Sequence, residues 1–224
     1  MTFKHESVSL GYDDLETQTG KGGRFYQAPT GKKYPSITTV LSILSEDHIR
    51  AWRARVGEEE ANKISHRAST RGTAVHEIFE KYVDNDPDFA EGAMPHIIET
   101  FKQAKPVLDE RLSLVYAQEA PLYSDHLGVA GRVDLVGVWD GKISIIDYKT
   151  SAKLKPKEWC ENYFMQEAAY AVMWEERTGM PITQLVTVIA GDEGNQVFIE
   201  HRDNWTKKLL ETINEYRRRK LFGH

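Results

Sequence analysis

Two acidic residues and a lysine in the middle of the sequence have the types and spacing needed for metal-assisted hydrolysis. Asp134 ends a Gly-Arg-Val-Asp segment, and Asp147 and Lys149 belong to an Asp-Tyr-Lys segment farther along. Carboxylate oxygens are the ligands that Mg²⁺ and Mn²⁺ prefer, and an ammonium group offsets the negative charge that develops in such a reaction. The three residues are therefore candidate catalytic residues, provided that the fold brings them together.

A short turn between two apolar segments is what brings them together. Asp140-Gly141 is a strong signal for a two-residue β-hairpin loop. With that loop, Asp134 lies directly opposite Asp147, with Cβ atoms about 4.5–5.5 Å apart. Because side chains alternate along a strand, Lys149 shares a face with Asp147 and Tyr148 points the other way.

A third acid joins this pair if the preceding loop has four residues. A loop over 125–128 places Glu119 opposite Asp134. Three adjacent acids repel one another unless a cation lies between them, which predicts bound Mg²⁺ or Mn²⁺. The single cysteine, Cys160, excludes a four-cysteine zinc site or an iron–sulfur cluster within this chain.

An exposed sheet face is the alternative interpretation, with Asp134 paired to Arg132 and Asp147 paired to Lys149. For an isolated Asp-x-Lys pattern that interpretation is preferable, because the pattern is common by chance. The segments 133–138 and 143–146 are too apolar for an exposed hairpin, however. Buried acids need partners, so the context favours a site.

The elements around this hairpin predict an α/β protein with a central mixed sheet flanked by helices. The pattern of apolar residues changes from a helical period to alternation near residue 112. Residues 1–35 read as an irregular arm or short hairpin. Helices are expected over 36–44, 45–55, 58–83 (interrupted near 70–72), 94–111, 157–178 and 204–220, and strands over 112–123, 129–139, 142–150, 184–190 and 196–201.

Three further residues have types that could complete a site. His76 follows Gly72 by one helical turn and could bind a metal as neutral imidazole, although a core histidine is at least as good an interpretation. Gln166 and Tyr170 lie at i and i+4 on one helix face, where they could contact a nucleic-acid strand or simply pack.

Bulk composition narrows the class of protein. A chain of 224 residues fits one domain, expected as an arm and helical cover over 1–111 and a catalytic core over 112–224. The net charge of −5 argues against a protein that coats DNA, but less against an enzyme with acidic metal ligands. No apolar run reaches the ~20 residues of a membrane helix, and the N-terminal residues resemble no signal, so a reducing bacterial or phage-infected cytoplasm is expected.

Taken in order, these motifs resemble the PD-(D/E)XK nuclease superfamily. Within it, the chain is similar to the RecB-type exonuclease branch that includes mitochondrial genome maintenance exonucleases and phage enzymes. The likeness runs from about Tyr34 to Tyr216 and so covers most of the chain. It is carried by five motifs: Gly72-x-x-x-His76, Glu119, Gly131-Arg132-Val133-Asp134, Asp147-Tyr148-Lys149-Thr150-Ser151 and Gln166-x-x-x-Tyr170.

The resemblance implies a restriction-endonuclease-like core and a role for each matched position. The metal ligands would be His76, Asp134, Asp147, the Tyr148 carbonyl and Glu119. Lys149 would orient or activate the attacking water. The implied or candidate DNA contacts are Gln166, Tyr170, Ser36, Thr38, Arg71, Ser151 and Lys153.

The expected activity is a Mg²⁺-dependent DNA exonuclease with low sequence specificity that acts on single-stranded ends. Aromatic side chains such as Tyr170 or Trp52 would stack on bases of any sequence. A structure-selective endonuclease on the same fold is the nearest alternative, and a metal-dependent RNase or a non-catalytic binding module are others. Replication or recombination proteins are possible partners. Polarity, metal number and oligomeric state stay open.

Overall fold

The computed structural model describes residues 2–223, which form nine strands and six α-helices. The strands are β1 (Lys4–His5), β2 (Glu16–Gly20), β3 (Gly23–Gln27), β4 (Lys33–Pro35), β5 (Leu112–Ser124), β6 (Val129–Trp139), β7 (Lys142–Ser151), β8 (Gln184–Gly191) and β9 (Gly194–His201). The helices are α1 (Ile37–Leu41), α2 (Glu46–Val56), α3 (Glu58–Val83), α4 (Pro95–Arg111), α5 (Glu161–Thr178) and α6 (Asp203–Phe222).

The predicted central mixed sheet is confirmed. Its six strands have the order β1-β5-β6-β7-β8-β9. Strands β5, β6 and β7 are antiparallel to one another, β7 and β8 are parallel, and β9 is antiparallel to β8. Helix α5 makes the crossover between β7 and β8, the connection that a parallel pair requires. This crossover sets α5 across the strand that carries Asp147 and Lys149.

Two hydrophobic cores lie on the two faces of this sheet. On one face, α3 and α4 cover residues such as Leu135, Ile146 and Val186. On the other face, α1, α5 and α6 cover residues such as Val133 and Ile145. The strands in the centre are therefore buried on both sides, which explains their apolar sequences.

The Asp140-Gly141 turn has the conformation that the sequence predicted. Asp140 has φ 49° and Gly141 has φ 77°, the two positive values of a type I′ turn. The turn pairs Trp139 with Lys142, and the ladder continues in the predicted register to Leu135 and Ile146. Asp134 and Asp147 are the next two residues along these strands.

The loop over 125–128 also has the predicted length, and it sets the register of β5 against β6. Pairing is regular from Ser124–Val129 to Ala120–Val133 and resumes at Gln118–Leu135. Between these pairs, Glu119 has a left-handed φ of 47° and leaves the ladder together with Asp134. Side-chain alternation is therefore reset at this point, because Val133 and Leu135 pack on opposite faces of the sheet.

The N-terminal segment, predicted as an irregular arm or short hairpin, contains the hairpin, which a third strand extends. Strands β2, β3 and β4 form a separate three-stranded antiparallel sheet. Tyr26 in this sheet is buried and forms a small core with Tyr123 and Ala130. Aromatic residues near the Gly-rich turn at 20–23 therefore supply the apolar surface that anchors the sheet.

The predicted interruption of helix α3 near 70–72 is also wrong, because α3 is continuous from Glu58 to Val83. Glycine costs about 1 kcal/mol in a helix interior. Val75, Ile78 and Phe79 are buried just after Gly72, and this burial holds the helix together. Within residues 2–223, no helix is both long and apolar enough to cross a membrane.

Gly131 gives a test of how closely α5 approaches β6. A Cβ atom at position 131 would lie 2.7 Å from Cε1 of Tyr170, whose ring is buried. We expect Gly131→Ala to destabilise the protein by about 1–3 kcal/mol in urea unfolding, because the buried ring would have to shift to make room for the Cβ atom. Gly20→Ala, at a position with open space, should change stability by less than about 0.5 kcal/mol. Equal shifts for both variants would show that the contact is not tight.

Candidate functional site

The site begins where strands β6 and β7 stop pairing through their backbones. The Tyr148 N–H donates to Oδ2 of Asp134 over 2.8 Å. The carboxylate thus takes the place of a backbone acceptor that a continued ladder would have provided. This bond holds Asp134, which is largely buried, between the two diverging strands.

Asp147 lies on the α5 side of β7 and is fully buried. Its Oδ1 accepts a hydrogen bond of 3.2 Å from Nε2 of Gln166, and its Oδ2 forms an ion pair with the Lys149 ammonium. The ammonium also lies 5.2 Å from the centre of the Tyr163 ring. Asp147 therefore fixes both Gln166 and Lys149, the latter with its side chain still 20% exposed.

A candidate metal site lies beside this network. Single ligand atoms of His76, Glu119 and Asp134 all lie within 4.8 Å of one another. His76 comes from α3, and its Nδ1 is 3.5 Å from Oδ2 of Asp134. One imidazole and two carboxylates fit a hard divalent cation such as Mg²⁺ or Mn²⁺.

Asp147 and Tyr148 were also expected among the ligands. Both oxygens of the Asp147 carboxylate are engaged, Oδ2 by the Lys149 ammonium and Oδ1 by the Gln166 amide. The Tyr148 side chain stacks on Phe79 on the opposite face, with ring centres 4.2 Å apart. Direct ligation by the Asp147 carboxylate or the Tyr148 carbonyl stays a prediction.

The electrostatics of the cluster favour a bound cation. Burial, followed by the charge of Asp134 and then that of Glu80, raises the pKa of Glu119 to about 7. Arg132 opposes this rise, although its guanidinium donates to the Glu119 carbonyl and to Asp14. Extra positive charge would restore the ionised form of Glu119, which is what a divalent ion supplies.

Lys149 remains protonated in this environment. Burial alone would lower its pKa, but the charges of Asp147 and Asp134 outweigh burial and hold the pKa above its ordinary value. Burial in turn raises the pKa of Asp147, and the Lys149 ammonium opposes that rise. The pair supplies one fixed cation at the edge of the site.

The three residues of the metal cluster and Lys149 line a cleft of about 510 Å³. Helix α3 forms one wall, and β3 with the start of α1 forms the opposite wall. The lining residues are Arg24, Tyr26, Ser36, Thr38, Gly72, Thr73, His76, Glu77, Glu80, Glu119, Gly131, Arg132, Asp134, Lys149, Gln166 and Tyr170.

Four of the expected DNA contacts line this cleft, with different exposure. Thr38 is exposed, whereas Ser36 is buried and caps α1 by accepting from the Thr39 N–H. Gln166 donates to the Tyr170 hydroxyl over 3.2 Å, and Tyr170 is only 2% exposed. A ring buried to this extent offers no open face to a base, and any contact of Tyr170 with a strand stays a prediction.

The other three expected DNA contacts lie outside the cleft. Arg71 forms an ion pair with Asp192 and donates to the Thr100 hydroxyl. The Ser151 hydroxyl donates to the carbonyl of Lys153, which fixes the start of the loop after β7. Any role of these residues in binding a strand stays a prediction.

Several cleft residues were missed by sequence reasoning. Glu80 follows His76 by one helical turn, a spacing that could have revealed it. Arg24 and Tyr26 come from the N-terminal sheet, for which no signal predicted proximity to the site.

Comparisons with known proteins give a family match over most of the chain. The family model of the PD-(D/E)XK nuclease superfamily matches residues 49–221, which include every residue of the metal cluster and Lys149. Human mitochondrial genome maintenance exonuclease 1 is 24% identical over 205 residues, covering 83% of this chain. The chain spans 59% of the length of that relative.

A likeness to a solved structure is weaker. The crystal structure of SSO0001 has a TM-score of 0.34 and 13% identity, covering 64% of this chain and 72% of that one. The family match covers well over half of the sequence and contains the hairpin, the α3 histidine and the α5 crossover. The chain belongs to the PD-(D/E)XK nuclease superfamily.

Proposed function

We propose that this protein is a metal-dependent DNA exonuclease that prefers single-stranded DNA and has low sequence specificity. The observation that carries the proposal is the cluster of His76, Glu119 and Asp134 next to a protonated Lys149 in an open cleft. Hydrolysis of a phosphodiester needs positive charge around the phosphate, which a cation held by the cluster and the Lys149 ammonium would supply.

Contacts within the protein hold the proposed ligands in place. Asp134 is fixed by the Tyr148 N–H, and Glu119 by its position in β5. A bound Mg²⁺, or Mn²⁺ in its place, would acidify water and neutralise charge on the phosphate oxygens. His76, which belongs to α3, would bind the metal through a ring nitrogen of its neutral imidazole.

Lys149 would act as a cation and not as a base. Its raised pKa leaves no lone pair to accept a proton near neutral pH. Its ion pair with Asp147 directs the ammonium into the cleft, where it would bind a phosphate oxygen and orient the attacking water. Gln166 supports this arrangement by donating to the other oxygen of Asp147.

The walls of the cleft support a preference for a single strand. Helix α3 lies on one side and β3 with α1 on the other, so a substrate must pass between two layers of protein. A single strand is narrower than a duplex. Polar and charged side chains such as Thr38, Arg24 and Lys149 suit a sugar–phosphate backbone, which carries no sequence information.

The exonuclease assignment also draws on the name of the human relative, with which the chain shares part of its length. We propose that residues 1–224 act as one nuclease domain and that DNA ends are the substrate. A structure-selective endonuclease would use the same metal cluster, and digestion of circular DNA separates the two activities.

Lys149→Ala tests the proposed role of the cation. We expect the variant to cut end-labelled linear single strands about 10²–10³ times more slowly than the wild type with Mg²⁺, because charge stabilisation is removed. Wild-type cutting should stop in EDTA and should be slow on duplex and absent on circular single strands. Binding of the DNA in EDTA should change only a few-fold.

Lys142→Ala is the matched control, since Lys142 is an exposed lysine at the opposite end of the same strand. It should cut at the wild-type rate. Cleavage of circular single strands by the wild type would establish the endonuclease instead. Binding without cleavage under any divalent metal would identify a non-catalytic module.

The pKa of Glu119 predicts how metal affinity depends on pH. Because Glu119 must lose its proton to bind a cation, Mg²⁺ affinity should rise with pH and level off above the pKa of about 7. Below that value we expect the affinity to fall roughly tenfold per pH unit. Titration calorimetry in two buffers of different ionisation enthalpy measures both the affinity and the proton released.

Glu119→Gln removes this titrating group while keeping its size. The variant should bind Mg²⁺ more weakly at pH 8 and should show a flatter pH profile between pH 6 and 8. An unchanged profile would mean that Glu119 does not ligate the metal.

A further inference from the structure

A second groove adjoins the candidate active-site cleft at Thr38. It has a volume of about 490 Å³ and lies between the tip of the β2–β3 hairpin, α1 and α6. Thr38 lines both spaces, so the groove continues the cleft past the start of α1. We name it the hairpin groove, and its lining residues are Lys21, Gly22, Gly23, Thr38, Thr39, Ser42, Ile43, Glu46, Tyr216, Arg219 and Lys220.

Close packing of the hairpin tip against α1 shapes the hairpin groove. Gly23 has φ +99°, and a Cβ atom there would lie 2.3 Å from Cγ2 of Thr39. The Arg24 N–H donates to the Thr39 hydroxyl over 3.0 Å. Only glycine permits this close approach, so the hairpin tip is held directly against α1.

Two exposed lysines stand at the hairpin tip. Lys21 belongs to the turn, and Lys220 reaches it from α6, since a Cβ atom at Gly22 would lie 3.6 Å from the Lys220 Nζ. Within residues 2–223, neither lysine has a carboxylate within ion-pair distance. Both ammonium groups are therefore available to a negatively charged ligand.

The one acid that lines the hairpin groove, Glu46, is already paired. Arg219 lies 3.5 Å from Glu46, and Arg50 lies 3.3 Å from it. The lining of the groove therefore carries net positive charge, from Lys21, Arg219 and Lys220 against Glu46.

The opposite side of the active-site cleft has the reverse charge. Glu77 and Glu80 line the α3 wall of that cleft. A larger space of about 1000 Å³ between α3 and α4 meets the cleft lining at Glu77, and it also carries cations, among them Lys63, Arg67 and Lys81. A strand that leaves Lys149 along the α3 wall passes two acidic side chains, whereas one that leaves past Thr38 meets Lys21 and Lys220.

From this polarity we infer that the hairpin groove holds the continuation of the single DNA strand whose scissile phosphate lies at Asp134 and Lys149. Lys21 and Lys220 contact phosphates of that strand, and Thr38 marks the point where it leaves the active-site cleft. The inference rests on the proposed nuclease function and adds the route of the substrate. Because the contacts go to the backbone, the groove binds any sequence.

The test measures binding of labelled oligo-dT of 4, 8, 12 and 16 nucleotides by fluorescence anisotropy in EDTA. We expect Lys21→Ala combined with Lys220→Ala to weaken binding of the 12-mer on the order of tenfold and to leave the 4-mer nearly unchanged. The slope of log affinity against log salt for the 12-mer should fall by about 1.4, or about 0.7 for each phosphate that a lysine no longer neutralises.

Arg67→Ala combined with Lys81→Ala is the matched control. It removes two exposed cations from the space between α3 and α4 and should leave all four lengths unaffected. All four substituted residues are exposed, so folding should be preserved, and circular dichroism checks this.

Three outcomes would overturn the inference. Weaker binding by the control variant alone would route the strand between α3 and α4. Equal weakening for the 4-mer and the 12-mer would place the lysines at the active site itself. Unchanged DNA binding with an altered monomer–dimer ratio would assign the groove to a second copy of the chain. In each case, Mg²⁺-dependent cleavage by the wild type would leave the proposed function standing.

Discussion

The hydrogen bond from the Tyr148 N–H to the Asp134 carboxylate is the interaction on which the site depends. Strands β6 and β7 leave their shared ladder at this point, and a buried peptide N–H without a partner would cost about 1–3 kcal/mol. The carboxylate satisfies that donor and is fixed by it. Asp134 at the centre of the sheet thus also supplies a hydrogen-bond acceptor that the backbone of the sheet lacks at this point.

The pairing of β5 with β6 is interrupted at the same position. Glu119 takes a left-handed conformation opposite Asp134, so both acids leave regular pairing at one position. Register is retained on either side, and the hydrophobic cores of the two faces close around the break. The left-handed backbone at Glu119 costs of order 1 kcal/mol or more. The paired residues on both sides of Glu119 hold the strand in place and offset this cost.

Sequence reasoning predicted the part of the site that depends on local rules. The Asp140-Gly141 turn determines the register of β6 and β7 because turn type and loop length leave few alternatives. Alternation along β7 then puts Lys149 and Tyr148 on opposite faces. These steps use only neighbouring residues, and the structure agrees with them.

What could not be predicted depends on contacts between distant segments. The approach of Arg24 and Tyr26 to the cleft follows from packing of the N-terminal sheet against Tyr123. Burial of the Tyr170 ring follows from its contact with Gly131 on another element. For Gln166 to contact Asp147, α5 must cross β7 next to Asp147. The periodicity of the sequence does not specify where along the strand this crossing lies.

The cluster of His76, Glu119 and Asp134 joins two layers of the protein. The histidine belongs to α3, whose first half is mostly exposed, while both acids belong to the central sheet. An ion held by all three would act as a cross-link between helix and sheet, and binding to the folded state alone stabilises that state. Metal binding would therefore slow hydrogen exchange in α3. The exchange rate of this cleft wall would then show whether the metal site is occupied.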